Sequence, residues 1–256
     1  MEERKVSDFA FVSSEWPLDP NKQTLIFIHG AGGSSTMWLN QVDALMVNAN
    51  TIAIDLPGHG RSSGQGRCKI TDYAKSVVEF IDLIKVPKPI LIGLSMGGAI
   101  TLQTILDFSE RIAAAVLIST GAKLRVLPVI FETIENNFDE FIKMMGKFSI
   151  SNIADPKILH QMMDEMAKQD PRVTLKDFRA CDSFNVMERL SEINMPTLII
   201  TAENDNLTTP KYGKFLEERI NGAQRTHIMD AGHIVSLEKP EEVNQAIGEF
   251  IKGLES

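Results

Sequence analysis

The sequence is poor in cysteine, in aromatic residues and in positive charge, and each shortage removes a class of protein. Two cysteines in 256 residues, Cys68 and Cys181, cannot build a disulfide framework, and neither has a second Cys or a His at metal-ligand spacing. They read as reduced thiols, with no metal site. Aromatic residues make up 7% of the chain, and 26 Lys plus Arg stand against 34 Asp plus Glu for a net charge of −8. Such a surface repels phosphate backbones and anionic lipid faces. Lys123, Arg125, Lys143 and Lys147 come nearest to a basic patch, but they are scattered among acids without interleaved aromatics, so no nucleic-acid partner is expected. Long apolar runs are scarce too. Residues 89–106 carry no charged side chain and approach the ~18–20 residues a bilayer needs. Gly93, Ser95, Gly97, Gly98, Thr101, Gln103 and Thr104 interrupt them, which argues against a membrane partner. The start, Met1-Glu2-Glu3-Arg4-Lys5, is charged and is not followed by an apolar run of about 7–15 residues, so no secretory signal and a cytoplasmic address are expected.

What is present is an ordinary globular mixture, 43% hydrophobic and 23% charged. At roughly 150 residues per domain the length allows about 1.7 domains, either one large domain or a core carrying an insertion. Apolar, β-branched runs alternate with amphipathic stretches in the first half, the pattern of strands and crossover helices in a mostly parallel sheet. Thr24-Leu25-Ile26-Phe27-Ile28, Thr51-Ile52-Ala53-Ile54 and Pro89-Ile90-Leu91-Ile92 read as strands, each ending at turn residues. Between the last two, Thr71 is placed to cap a helix with Tyr73, Val77, Phe80, Ile81 and Ile84 on its apolar face, closed by Pro87. Further strands fall at Ala114-Ala115-Val116-Leu117-Ile118, Thr197-Leu198-Ile199-Ile200 and Arg225-Thr226-His227-Ile228-Met229, before a closing helix at about 240–254. From about 122 to 190 the pattern predicts helices only. Phe131, Ile134, Phe138, Phe141, Ile142 and Met145 form one helical stripe, Met162, Met163 and Met166 a second after Pro156, and Phe178 lies in a third. The division expected is therefore a core of 1–121 and 191–256 with a helical insertion at 122–190.

Gly93-Leu94-Ser95-Met96-Gly97 fits G-x-S-x-G. Alone the pattern is weak, but it follows an apolar strand and precedes a helix-like run from Ala99 to Leu106, the strand-turn-helix of a nucleophile elbow. A serine hydroxyl needs a base. Of five histidines, His29 and His59 sit at turns and read as structural, His160 lies in the helical segment and His227 within a strand. His233, after Gly232 in the loop beyond the last strand, is the base favoured. The acid should lie between nucleophile and base in the chain, at the end of a strand. Asp205 meets this, with Glu203 second and Asp230 a competitor beside His233. An oxyanion needs two backbone donors. Met96 supplies one, and the loop His29-Gly30-Ala31-Gly32-Gly33 the other, from Ala31 first or Gly32 second. No Walker loop or G-x-G-x-x-G turn is present in these glycine clusters.

His29-Gly30-Ala31-Gly32-Gly33, Asp55-Leu56-Pro57-Gly58-His59-Gly60-Arg61-Ser62, Gly93-Leu94-Ser95-Met96-Gly97-Gly98, Asp205 and Gly232-His233 together resemble the α/β-hydrolase superfamily across about 24–251. The resemblance implies an α/β fold with a mostly parallel central sheet flanked by helices. It also implies a Ser95-Asp205-His233 triad, an oxyanion hole at Ala31 and Met96, and a helical cap at 122–190 inserted after the sixth strand. Ala202 departs from the glycine that members often carry in the acid loop. Serine rather than aspartate at the elbow disfavours the dehalogenase and epoxide-hydrolase branches. The activity implied is a serine carboxylic-ester hydrolase for small to medium, moderately apolar esters, without a cofactor. Two alternatives stay open: a C–C bond hydrolase or lyase using the same triad, and a non-catalytic small-molecule receptor. The partner expected is a small ester-like molecule, and assembly into a homo-oligomer is left open. Phe131, Phe138, Phe141, Met144, Met145, Met162, Met163 and Met166 could line an acyl pocket, although such stripes also serve helix packing.

Overall fold

The apolar runs become strands because successive side chains point to opposite faces and both faces are covered. Leu25 and Phe27 join Ile90, Ile92 and Val116 in one core, while Ile26 and Ile28 join Leu91, Leu117 and Ile199 in the other. A computed structural model describes residues 1–254. In chain order the elements are β1 (Glu2–Val6), β2 (Phe9–Ser13), β3 (Thr24–Ile28), α1 (Leu39–Leu45), β4 (Asn50–Ile54), α2 (Ile70–Ile84), β5 (Ile90–Leu94), α3 (Met96–Asp107) and β6 (Ala114–Ile118). There follow α4 (Pro128–Asn136), α5 (Phe138–Ser149), α6 (Pro156–Ala167) and α7 (Pro171–Ser183), then β7 (Thr197–Ala202), α8 (Pro210–Arg219), β8 (Gln224–Ile228), α9 (Val235–Glu238) and α10 (Pro240–Leu254).

The strands form one sheet in the order β1-β2-β4-β3-β5-β6-β7-β8. Pairing is parallel from β4 through β8 and antiparallel at the β1, β2 edge. Val42, Leu45, Ile247 and Phe250 of α1 and α10 cover one face, and Tyr73, Phe80, Ile100 and Leu216 of α2, α3 and α8 the other. This is an α/β fold with a mostly parallel central sheet. Helices α4 to α7 all fall between β6 and β7. No helix among the described residues is long and apolar enough to cross a membrane, and the uncharged stretch 89–106 is split between β5 and α3.

Four details differ from the sequence reading. The charged start is strand β1, half of a hairpin with β2; as the sheet's edge it carries the charges that discourage further pairing, and those charges hid it. The stripe from Phe131 to Met145 is two helices, because Asn137 leaves helical geometry and its side chain accepts from Glu140 N–H to cap α5. Thr71 does not cap α2, which begins at Ile70 behind an extended Lys69. The last strand is Gln224–Ile228, and Met229 lies beyond it, exposed. Ala202 causes no disturbance: it ends β7 in ordinary register with Ile228.

Candidate active site

Strand β5 ends at Leu94 and α3 begins at Met96, so Ser95 alone makes the turn, at φ 56° and ψ −116°. A non-glycine residue held there costs about 1–3 kcal/mol, and neighbouring bonds fix it. Ser95 N–H donates to the Ile118 carbonyl at 2.9 Å, and Thr120 Oγ1 donates to the Ser95 carbonyl at 2.7 Å. The turn can be this tight because its flanks lack side chains. A Cβ at Gly93 would lie 2.1 Å from the Gly97 carbonyl oxygen, and one at Gly97 would lie 2.1 Å from that of Ile28. Both obstacles are backbone and cannot swing aside. Gly97→Ala is therefore expected to cost at least the 1–3 kcal/mol typical of overpacking, read as a lower urea midpoint; a midpoint equal to wild type would contradict this packing.

His233 and Asp205 meet at the ends of β7 and β8. Asp205 follows β7 in the loop 203–209, and His233 follows β8. His233 Nδ1 lies 2.9 Å from Asp205 Oδ2 and 3.0 Å from Oδ1, with both side chains almost fully buried. Leu207 N–H and Thr208 N–H donate to Oδ1, and Thr208 Oγ1 donates to Oδ2. Burial alone would push the Asp205 carboxyl up, but the His233 charge and the hydrogen bonds of His233 and Thr208 outweigh it and hold Asp205 below the usual carboxylate range. The ionised carboxylate can only accept, so Nδ1 carries a proton, and in the neutral imidazole Nε2 is then the nitrogen with the free lone pair. The two competing acids are elsewhere: Glu203 and Asp230 are exposed, with Glu203 Oε2 accepting from Asp230 N–H. Gly232 is needed for space rather than for backbone freedom. A Cβ there would sit 2.6 Å from the Ser151 nitrogen and 2.8 Å from Glu238 Oε1, while the left-handed residue in this loop is Asp230.

Ser95 and His233 open into one cavity of about 490 Å³, between the carboxyl ends of the strands and helices α4 to α7. Ala31 lines it as well. Met96 is the first residue of α3, and its N–H is among those that helix geometry leaves without an intrahelical carbonyl. The N–H of Gly32 is already committed to Asp177 Oδ2 at 2.9 Å. Of the eight residues considered for the pocket wall, Met144, Met145, Met162 and Met166 reach it. Phe131, Phe138, Phe141 and Met163 do not; Phe141 instead packs edge-on against Phe178, which does line the cavity.

The sequence profile of the alpha/beta hydrolase family matches residues 25–246. The chain belongs to this family. A Bacillus subtilis (strain 168) protein named uncharacterized hydrolase YugF is 30% identical, over 91% of this chain and 92% of its own length. 3-Oxoadipate enol-lactonase 1 of Acinetobacter baylyi is 24% identical, with 92% of this chain and 91% of the lactonase covered. Among solved structures, a thermophilic esterase superposes with a TM-score of 0.84 at 29% identity, covering 96% of this chain and 94% of the esterase.

In this alpha/beta hydrolase two further histidines are buried beside the cavity loop. Burial, with the His59 charge next to it, pushes His29 down to about 4. Neutral His29 donates from Nδ1 to the Gly30 carbonyl at 2.8 Å and accepts at Nε2 from Leu56 N–H at 3.1 Å. His59 faces two acceptors, Asp177 Oδ2 at 2.7 Å from Nε2 and the Pro57 carbonyl at 3.3 Å from Nδ1. Burial opposes its charge, but the Asp177 carboxylate, helped by Asp55, outweighs burial and holds His59 above its ordinary value. A raised value stabilises the fold fully below the ordinary histidine range, about 6.5, and the contribution is lost as pH rises through the folded value. The stability gap between wild type and Asp177→Asn should accordingly narrow from pH 6 to pH 9 in urea titrations; a constant gap would mean that His59 is uncharged. Sequence reasoning missed Asp177, Thr208 and Glu238. Glu238 Oε1 accepts from Gly232 N–H and Oε2 from Ser151 N–H, both at 3.0 Å, tying the His233 loop to the end of α5. Only Thr208 had a local signal, an Asp three residues earlier whose side chain its N–H can reach.

Proposed function

We propose that this protein is a serine carboxylic-ester hydrolase, with Ser95 as nucleophile, His233 as base and then acid, and Asp205 as the group that orients and charges the imidazole. The reading rests on one observation: a strained serine elbow and a carboxylate-paired histidine open into the same apolar cavity. Ser95 Oγ attacks the ester carbonyl, and its proton passes to His233 Nε2. The imidazolium formed is stabilised by Asp205, which keeps its negative charge throughout. Collapse of the tetrahedral intermediate releases the alcohol, protonated by His233; water, deprotonated by the same nitrogen, then frees the acid. The oxyanion donors are Met96 N–H and Ala31 N–H, the Gly32 N–H being occupied by Asp177. Residues 122–190 act as the lid, and their methionines with Phe178 favour uncharged, moderately apolar acyl or alcohol groups.

The test is turnover of p-nitrophenyl acetate, butyrate and octanoate, together with labelling by a fluorophosphonate and mapping of the modified peptide. Saturable hydrolysis with the label on Ser95 is expected. A labelled but ester-inactive protein would move the reading to C–C bond cleavage or lyase chemistry, and ligand binding with neither labelling nor turnover would leave a receptor.

A further inference from the structure

Asp177 lies in helix α7 and is fully buried, yet its carboxylate is hydrogen-bonded to three residues of the core. Tyr73 of α2 donates from its hydroxyl to Oδ1 at 2.5 Å. His59, in the loop after β4, donates to Oδ2 at 2.7 Å, and Gly32 N–H donates to the same oxygen at 2.9 Å. A carboxylate persists out of water only where donors and a counter-charge replace the solvent. If Asp177 served solely to fasten the helix, an apolar side chain would do so without that desolvation cost. One of its donors, moreover, is a backbone amide in the turn that carries Ala31.

That turn runs from Gly30 to Gly33, closed by Gly33 N–H donating to the Gly30 carbonyl at 3.1 Å, with Gly32 at φ +64°. Positive φ at the third residue is the type II arrangement. Asp177 Oδ2, by accepting from Gly32 N–H, anchors the central peptide of this turn, which is joined directly to the Gly30–Ala31 peptide that carries the proposed donor. A Cβ on Gly32 would lie 3.5 Å from Thr174, one turn earlier in α7, and 3.6 Å from Met166 of α6.

We infer that Asp177 is a positioning residue, which reaches from the lid helix into the core and, by anchoring the amide next to Ala31, fixes the place from which the Gly30–Gly33 turn offers Ala31 N–H to the reacting oxyanion. The inference rests on the ester-hydrolase reading for the role of Ala31, and adds that the lid supports the catalytic machinery as well as the pocket wall.

The test compares Asp177→Ala, Asp177→Leu, Asp177→Asn and Tyr73→Phe in the full chain. Leucine keeps the volume, so a folded variant lacking the acceptor is available if alanine fails to fold. The readouts are kcat and KM on p-nitrophenyl butyrate, Tm, and the labelling rate with a fluorophosphonate, whose phosphoryl oxygen takes the oxyanion position. Removing an oxyanion donor outright costs about 10²–10³ in kcat; loosening one through Asp177→Ala or Asp177→Leu is expected to cost about 10- to 100-fold in kcat and in labelling rate together. KM should change less than about threefold, because the contact is made in the transition state. Asparagine keeps a carbonyl oxygen that can accept from Gly32 and should recover most of the rate. Tyr73→Phe cuts a bond to the same carboxylate but spares the Gly32 contact, so it should lower Tm with a far smaller loss of kcat. A folded Asp177→Leu with wild-type kcat and labelling rate overturns the inference, as does a rise in KM alone. Wild-type labelling without ester turnover would remove only the ester reading, since the labelling rates still decide the role of Asp177. A wild type that takes no label overturns both.

Discussion

Ser95→Ala is expected to lower kcat for p-nitrophenyl butyrate by several orders of magnitude, about 10⁶-fold when a triad hydrolase loses its nucleophile, with little change in KM. The reason is local. Alanine keeps the Cβ and inherits the φ of 56° that the Ile118 and Thr120 bonds impose, so the elbow, the cavity and the His233–Asp205 pair should survive. Thermal melting should stay within a few degrees of wild type. What disappears is the oxygen proposed to form the acyl bond, and with it fluorophosphonate labelling. Residual hydrolysis would come from the oxyanion donors and binding alone, which in such enzymes retain about 10³–10⁴ over water. A variant turning over within tenfold of wild type would remove Ser95 from the mechanism.

Asp205→Asn is expected to cost about 10⁴ in kcat, the size of the effect when a triad carboxylate becomes an amide. Four donor groups, Leu207 N–H, Thr208 N–H, Thr208 Oγ1 and His233 Nδ1, converge on the two oxygens. An amide offers one oxygen and one NH₂, and the Leu207 and Thr208 N–H groups hold its oxygen on their side. The NH₂ then faces His233 Nδ1, which becomes an acceptor and shifts the imidazole proton to Nε2, the atom proposed to take the serine proton. Glu203 cannot substitute, being exposed and bonded to Asp230 N–H. Stability carries its own signature. Because Asp205 is held below the usual carboxylate range, its charge stabilises the fold above its unfolded value, about 3.9, and that contribution is lost as pH falls through the lower folded value. The gap in urea midpoint between wild type and variant should therefore shrink on acidification. A variant with near-wild-type kcat would return the acid role to another carboxylate.

The elements that were easiest to read share one property, that their pattern was set by burial on known sides. Strands β3, β5 and β6 are buried at every position, and apolar but for Thr24, because helices cover both faces of the sheet. The elbow was legible because a glycine-flanked serine directly after such a strand leaves the backbone few conformations. Strand β1 was not legible, since an edge strand is patterned by the solvent on its open side. The break at Asn137 was hidden because α4 and α5 pack the same stripe into the same core, so the hydrophobic period runs on across a kink. Half of the aromatic and methionine residues considered for the pocket do not reach it, and Phe138, Phe141 and Met163 pack into the core instead; periodicity places a residue on a face and says nothing of what that face meets.

By itself, the sequence determined the alternating architecture, the elbow, an order of serine, acid and histidine along the chain, and the family that this order implies. These are short-range matters: a strand, a turn and a few residues of loop each carry their own chemistry. Only the tertiary structure decided which carboxylate meets His233, which loop amide is already occupied, and which methionines face the cavity. Each of those is a contact between segments far apart in the chain, such as the 145 residues separating Gly32 from Asp177. Nothing local marks such a pair, because the free energy that joins them arises only when folding removes both from water.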